Sequence, residues 1–173
     1  MRHAELRAAE TAKAERPNHH EHLQGRLLRR QPLLHLHQPD PVEGTALKDA
    51  ISGVDAVLFV SPEYNRSIPG ALKNAIDWAS RPWGQNSFDH IPAAVIGASI
   101  GAIGTAVGQQ SLRAVLSFCN ARQMTAPEAY IHYTPEVFGD DGTVHNASTE
   151  KFLRNYMTEF RNHIHRVLTV LPR

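Results

Sequence analysis

Two short stretches carry the residue types that do chemistry. The first reads Ser61-Pro62-Glu63-Tyr64-Asn65-Arg66-Ser67-Ile68-Pro69-Gly70. Pro62 and Pro69 each fix a backbone angle and restrict the residue before them, so the chain between them is stiff and its amides are available to a ligand. Tyr64 adds a flat apolar face with a polar tip, and Asn65 adds both donor and acceptor atoms. That set suits a flat heteroaromatic ring with a polar edge. It suits equally a rigid strand-to-helix turn that holds nothing. The second stretch reads Gly97-Ala98-Ser99-Ile100-Gly101-Ala102-Ile103-Gly104-Thr105. Small residues let backbone amides approach a ligand closely, and a following helix N-terminus favours an anion or a polar ring edge. Gly97, Gly101 and Gly104 have the wrong spacing for a GxGxxG dinucleotide fingerprint. Close helix-to-sheet packing accounts for them as well.

The elements that must present these loops are legible after Pro39-Asp40-Pro41. Thr45 caps a short helix through Ile51, and Gly53 stops it. Residues 54–60 (VDAVLFV) read as a buried strand, short and nearly all apolar. Residues 70–80 form a helix with Leu72, Ala75, Ile76 and Ala79 on one stripe. Residues 91–99 are a second buried strand, 105–120 a long helix and 123–133 a third strand. Residues 148–171 are a last amphipathic helix, with Phe152, Tyr156, Phe160 and Ile164 at helical spacing. Alternating strand and helix implies βαβ units and a parallel sheet covered by helices on both faces. Ligands bind beyond the carboxyl ends of such strands, where both loops fall.

The 173 residues are 42% hydrophobic and 20% charged, a globular balance that fits one ordinary domain. Lys+Arg 18 against Asp+Glu 17 gives +1, which does not support nucleic-acid binding by bulk charge. A single cysteine, Cys119, excludes an intrachain disulfide and any CxxC motif, and its place beside Phe118 in a helix reads as packing. No apolar run approaches the ~20 residues that span a bilayer. With no secretion signal visible, the expectation is a soluble, cytoplasmic protein.

The two loops together are far more specific than either alone. The run PEYNRSIPGALKNAIDW resembles the NAD(P)H-dependent FMN reductase family, which includes soluble quinone and chromate reductases. GASIGAIGTAVGQQSLRAVL resembles that family's later flavin loop and its following helix. The resemblance covers residues 41–168. It implies a flavodoxin-like α/β fold, FMN and NAD(P)H as cofactors, and electrons passed through FMN to a quinone, a chromate-type oxyanion or another small acceptor. It implies that Pro62, Glu63, Tyr64 and Asn65 line the isoalloxazine ring and that Ser99, Ile100 and Gly101 border it. It also implies a homodimer or homotetramer, with no nucleic acid or membrane partner. No catalytic acid or base is assigned, because the cofactor carries the hard chemistry. Glu63 serves as well to orient backbone amides. Lys73 and Asp77 match charged positions on a helix that often packs between subunits; their spacing also fits a surface ion pair worth ~0.3–0.5 kcal/mol.

The chain departs from the family pattern at its start. Family members open with a central strand and a phosphate loop reading about GSxRxxSxN, and no Gly-Ser-x-Arg run exists here. The expectation is therefore a sheet lacking its usual first strand and phosphate loop. Residues 1–38 would be an atypical His/Arg-rich segment and 39–173 the flavodoxin-like domain. Within the opening, 2–16 reads as a helix and 33–37 as the remains of a strand; a frame-altered or mis-started segment is the other account. Losing two or three charge-assisted phosphate bonds costs about 3–9 kcal/mol, or about two to six decades of FMN affinity. The alternative function is then a non-catalytic truncated paralogue with weak or no FMN binding. A module that binds flavin-like or quinone rings without turnover is a third possibility. Arg26, Arg29 and Arg30 are candidates to replace part of the missing loop. His19, His20 and His22 match no zinc spacing, so no metal site is expected.

Overall fold

A computed structural model of the chain describes residues 42–171. The expected helix at 2–16, the strand at 33–37, the His and Arg clusters and the boundary at Pro39 lie outside the described residues. The elements run α1 (Val42–Ser52), β1 (Val57–Val60), α2 (Gly70–Ala79), β2 (Pro92–Ser99), α3 (Ala106–Phe118), β3 (Arg122–Gln123), β4 (Ala129–His132) and α4 (Ala147–Val170). All strand pairs are parallel. β2 lies between β1 on one side and β3 and β4 on the other.

Period-two alternation along the strands builds two cores. Phe59, Ala93 and Val95 face α1, α2 and α3, where they meet Ile51, Ile76, Leu112 and Leu116. Ala94, Ile96 and Ala129 face α4, where they meet Tyr156, Phe160 and Ile164. Each fully buried Leu, Ile or Phe contributes about 1.5–3 kcal/mol of transfer free energy, so these two layers dominate the stability. β2 is buried from Pro92 through Gly97 and reads PAAVIGAS; its small side chains let helices close on both faces. α4 is also tied to β2 by the buried Tyr156 hydroxyl, which donates to the Val95 carbonyl at 2.7 Å.

Three expected boundaries shift. α1 begins before Thr45, which falls inside its first turn beside Glu43. β1 is shorter than residues 54–60, because Val54 closes the turn after α1 through its N–H to Ile51 O. The third strand is not continuous over 123–133: β3 pairs at Pro92–Ala93, β4 pairs at Ile96–Ser99, and residues 124–128 break between them. Pro127 sits in the break and has no N–H to donate to a ladder.

Candidate functional site

The first loop leaves β1 beside β2, with the Ser61 N–H donating to Ile96 O at 3.1 Å. Tyr64 and Ser67 then bond each other reciprocally, N–H to O, at 2.9 Å both ways. Between them Asn65 and Arg66 take φ of 51° and 64°. Two positive φ values inside a reciprocal pair are the signature of a type I′ turn. The loop is therefore held by a tight turn as well as by its prolines. Asn tolerates this region readily and Arg less so, so Arg66 sits there because its neighbours hold it. Tyr64 stands at the tip, 60% exposed.

Glu63 points the other way. Its carboxylate Oε2 accepts the Gly108 N–H at 2.8 Å, and Gly108 lies in the first turn of α3. The first N–H groups of a helix have no partner within it. The residue before this helix, Thr105, supplies no side-chain cap. Glu63 thus caps α3 from another loop, with a negative charge at the positive end of the helix dipole. Its second oxygen lies 3.5 Å from the Arg66 guanidinium. Gly108 permits the approach: a Cβ there would stand 3.0 Å from Ser67 O and 3.2 Å from Glu63 Cγ.

The second loop is packed from below. A Cβ on Gly97 would lie 2.3 Å from Ser61 O and 2.5 Å from Thr105 Oγ1, so only glycine lets the two loops touch. Gly104 has φ +59° and rests against Tyr130 of β4. Beneath, the buried Gln109 amide donates to Thr105 Oγ1 at 2.8 Å and to Ala129 O at 2.7 Å. Above, Ser99 Oγ accepts the Gly101 N–H at 3.0 Å, and His132 Nε2 lies 3.1 Å from Ile100 O.

The structure brings Pro62, Glu63, Tyr64 and Asn65 and Ser99, Ile100 and Gly101 to one end of the sheet, on adjacent loops after β1 and β2. Their tasks differ. Glu63 is turned to α3 and Ser99 to its own loop, while Tyr64 and Ile100, 82% exposed, face outward. The N–H groups of Asn65, Ile100 and Ala102 donate to no acceptor among the described residues. Flat apolar surface beside unspent donors is what a polar-edged ring needs. Sequence reading missed Gly108, Gln109 and His132 as supports. A small residue in the first turn of α3 was the one visible signal for Gly108. Lys73 and Asp77 form the ordinary ion pair, 2.7 Å apart and partly exposed. Trp78 is buried and Trp83 is exposed. Cys119 packs, and burial pushes its thiol pKa up. No group of three or more potential metal ligands occurs among the described residues. No helix among them is long and apolar enough to cross a membrane.

The NADPH-dependent FMN reductase family model matches residues 4–136, beginning well before Pro39. The chain is 44% identical over 120 residues to a 2-hydroxy-1,4-benzoquinone reductase of Burkholderia sp, covering 69% of this chain and 66% of that protein. It is 45% identical over 113 residues to a quinone reductase of Pseudomonas putida, covering 65% and 60%. The chain thus spans less than two thirds of the length of these curated relatives. Among solved structures, it is similar to FerB, a flavoenzyme NAD(P)H:(acceptor) oxidoreductase of Paracoccus denitrificans. The TM-score is 0.70 with 39% identity, over 88% of this chain and 93% of that one. The parallel sheet is that of the flavodoxin-like fold, and the chain belongs to the NADPH-dependent FMN reductase family.

Proposed function

We propose that this protein is an NAD(P)H-dependent flavin oxidoreductase that passes electrons through FMN to quinones, chromate-type or other small acceptors. One observation carries the reading: two loops locked together at the carboxyl ends of β1 and β2, with Tyr64 and Ile100 exposed beside amides that have no acceptor among the described residues. The residues fit a flavin ring, because Tyr64 and Ile100 expose apolar surface and the donors are backbone N–H groups. Pro62, Tyr64, Asn65, Ile100 and Gly101 would meet the ring, and Glu63 and Ser99 would hold the loops that present it. The chemistry such a ring supplies when bound is two-electron transfer from a nicotinamide to an acceptor. The protein's part is to bind, orient and shield. The reading includes a cytoplasmic homodimer or homotetramer with residues 39–173 as its flavodoxin-like unit. The lone, buried Cys119 suits a reducing compartment.

A second reading is a non-catalytic paralogue with weak or no FMN binding. It is favoured by the absence of a Gly-Ser-x-Arg run from the 173 residues. One experiment separates the two: titrate the full chain with FMN and with riboflavin, then follow NAD(P)H oxidation with a benzoquinone. The reductase reading expects FMN bound more tightly than riboflavin and turnover above the protein-free rate. Equal, weak affinities without turnover establish the second reading.

A further inference from the structure

We propose that His132 is a positioning residue for the ring-facing loop, setting through one backbone peptide which amides that loop offers a ligand. The inference rests on the flavin-ring reading of the site. The peptide is the one joining Ile100 to Gly101, and it is gripped at both ends. Its carbonyl faces His132 Nε2 at 3.1 Å, and its N–H donates to Ser99 Oγ at 3.0 Å. A carbonyl only accepts, so Nε2 carries the proton in this contact.

Strand pairing delivers the histidine there. β2 and β4 are in register at Ser99↔His132, and the Tyr133 N–H continues the ladder to Ser99 O at 2.8 Å. The His132 side chain therefore leaves the sheet beside the first residue of the loop. Little else holds that residue, since Ile100 is 82% exposed and gains no anchor from packing. Gly101 and Ala102 bring no side chain long enough to help. With the peptide plane held, the Gly101 N–H is spent on Ser99, while the Ile100 and Ala102 N–H groups have no acceptor among the described residues. Rotating the plane would free the Gly101 N–H from Ser99 Oγ and turn the Ile100 carbonyl off His132, changing which groups the loop offers.

The test compares the full chain with His132→Ala, His132→Gln and His132→Asn. Glutamine places an amide nitrogen where Nε2 stands, and asparagine is too short to reach. The first readout is amide hydrogen exchange at Gly101 without flavin, with the Gly108 amide as internal control. The second is the affinity for riboflavin and FMN by fluorescence quenching. Expected are faster exchange at Gly101 in the Ala and Asn variants, unchanged exchange at Gly108, and about 3- to 10-fold weaker flavin binding, restored by Gln. Unchanged Gly101 exchange, or flavin affinity unchanged in His132→Ala, overturns the role of His132 and leaves the ring reading standing. A loss that Gln does not restore, matched by faster exchange at Gly108, shows a merely structural residue and also overturns it. A wild-type chain that binds neither flavin overturns the ring reading and this role with it.

Discussion

Removing the Glu63 carboxylate is the sharpest test of how the site is built. The side chain is only 10% exposed and its Oε2 sits 2.8 Å from the Gly108 N–H. A charge-assisted bond of this kind contributes about 1.5–3 kcal/mol. The helix dipole adds about 0.3–1 kcal/mol, little screened in a half-buried place. The Arg66 contact adds almost nothing, because that guanidinium is 68% exposed and 3.5 Å away. Glu63→Ala should therefore cost about 2–3 kcal/mol, a fall of about 5–10 °C in Tm for a chain of this size. Glu63→Gln keeps the shape and one acceptor, and should cost about 1 kcal/mol. Arg66→Ala should shift stability by less than about 0.5 kcal/mol. Urea unfolding at neutral pH measures all three, with hydrogen exchange at Gly108 reporting the cap itself. A loss below about 0.5 kcal/mol in Glu63→Ala, with Gly108 still protected, would refute the capping argument.

Three further outcomes follow from contacts already described. Gly97→Ala drives a Cβ into Ser61 O and Thr105 Oγ1, and should cost about 3 kcal/mol or prevent folding, read by urea unfolding. Tyr156 has its pKa pushed up to about 12 by burial, from an ordinary 10.0. The folded state thus holds the phenolic proton more tightly than the unfolded chain. Stability should be flat below pH 10 and fall by about 2–3 kcal/mol as pH rises towards 12. Tyr156→Phe should flatten that slope at a cost of about 1 kcal/mol at neutral pH, measured by unfolding across the alkaline range. Cys119, whose thiolate is disfavoured by burial, should resist a thiol reagent at pH 8 at a rate set by opening of the fold. Fast stoichiometric labelling of the native protein would contradict that burial.

Much of the fold was legible because its causes are local. Apolar runs of strand length, helical stripes such as Phe152, Tyr156, Phe160 and Ile164, and the stop at Gly53 act within a few residues of chain. The reading of 123–133 as one strand fails at its middle, where Pro127 has no N–H to give a ladder. The same locality makes the two loops and their order along the chain readable. Pro62 and Pro69 are visible in the sequence as backbone restraints, yet the tight turn between them needs two non-glycine residues at positive φ. Such a conformation is imposed by neighbours rather than encoded in Asn65 and Arg66 alone.

By itself the sequence determined the alternation of strand and helix, the buried parallel sheet, the family, and which loops meet at its carboxyl end. Tertiary structure alone decided what each loop residue does there. Glu63 and Gly108 are 45 positions apart, and His132 and Ile100 are 32 apart. Whether a carboxylate finds a helix N-terminus, or an imidazole finds a carbonyl, depends on strand register and on the few tenths of an ångström that a glycine leaves open. Propensity and periodicity report only nearest neighbours along the chain, and hydrogen-bond partners are set by packing in three dimensions.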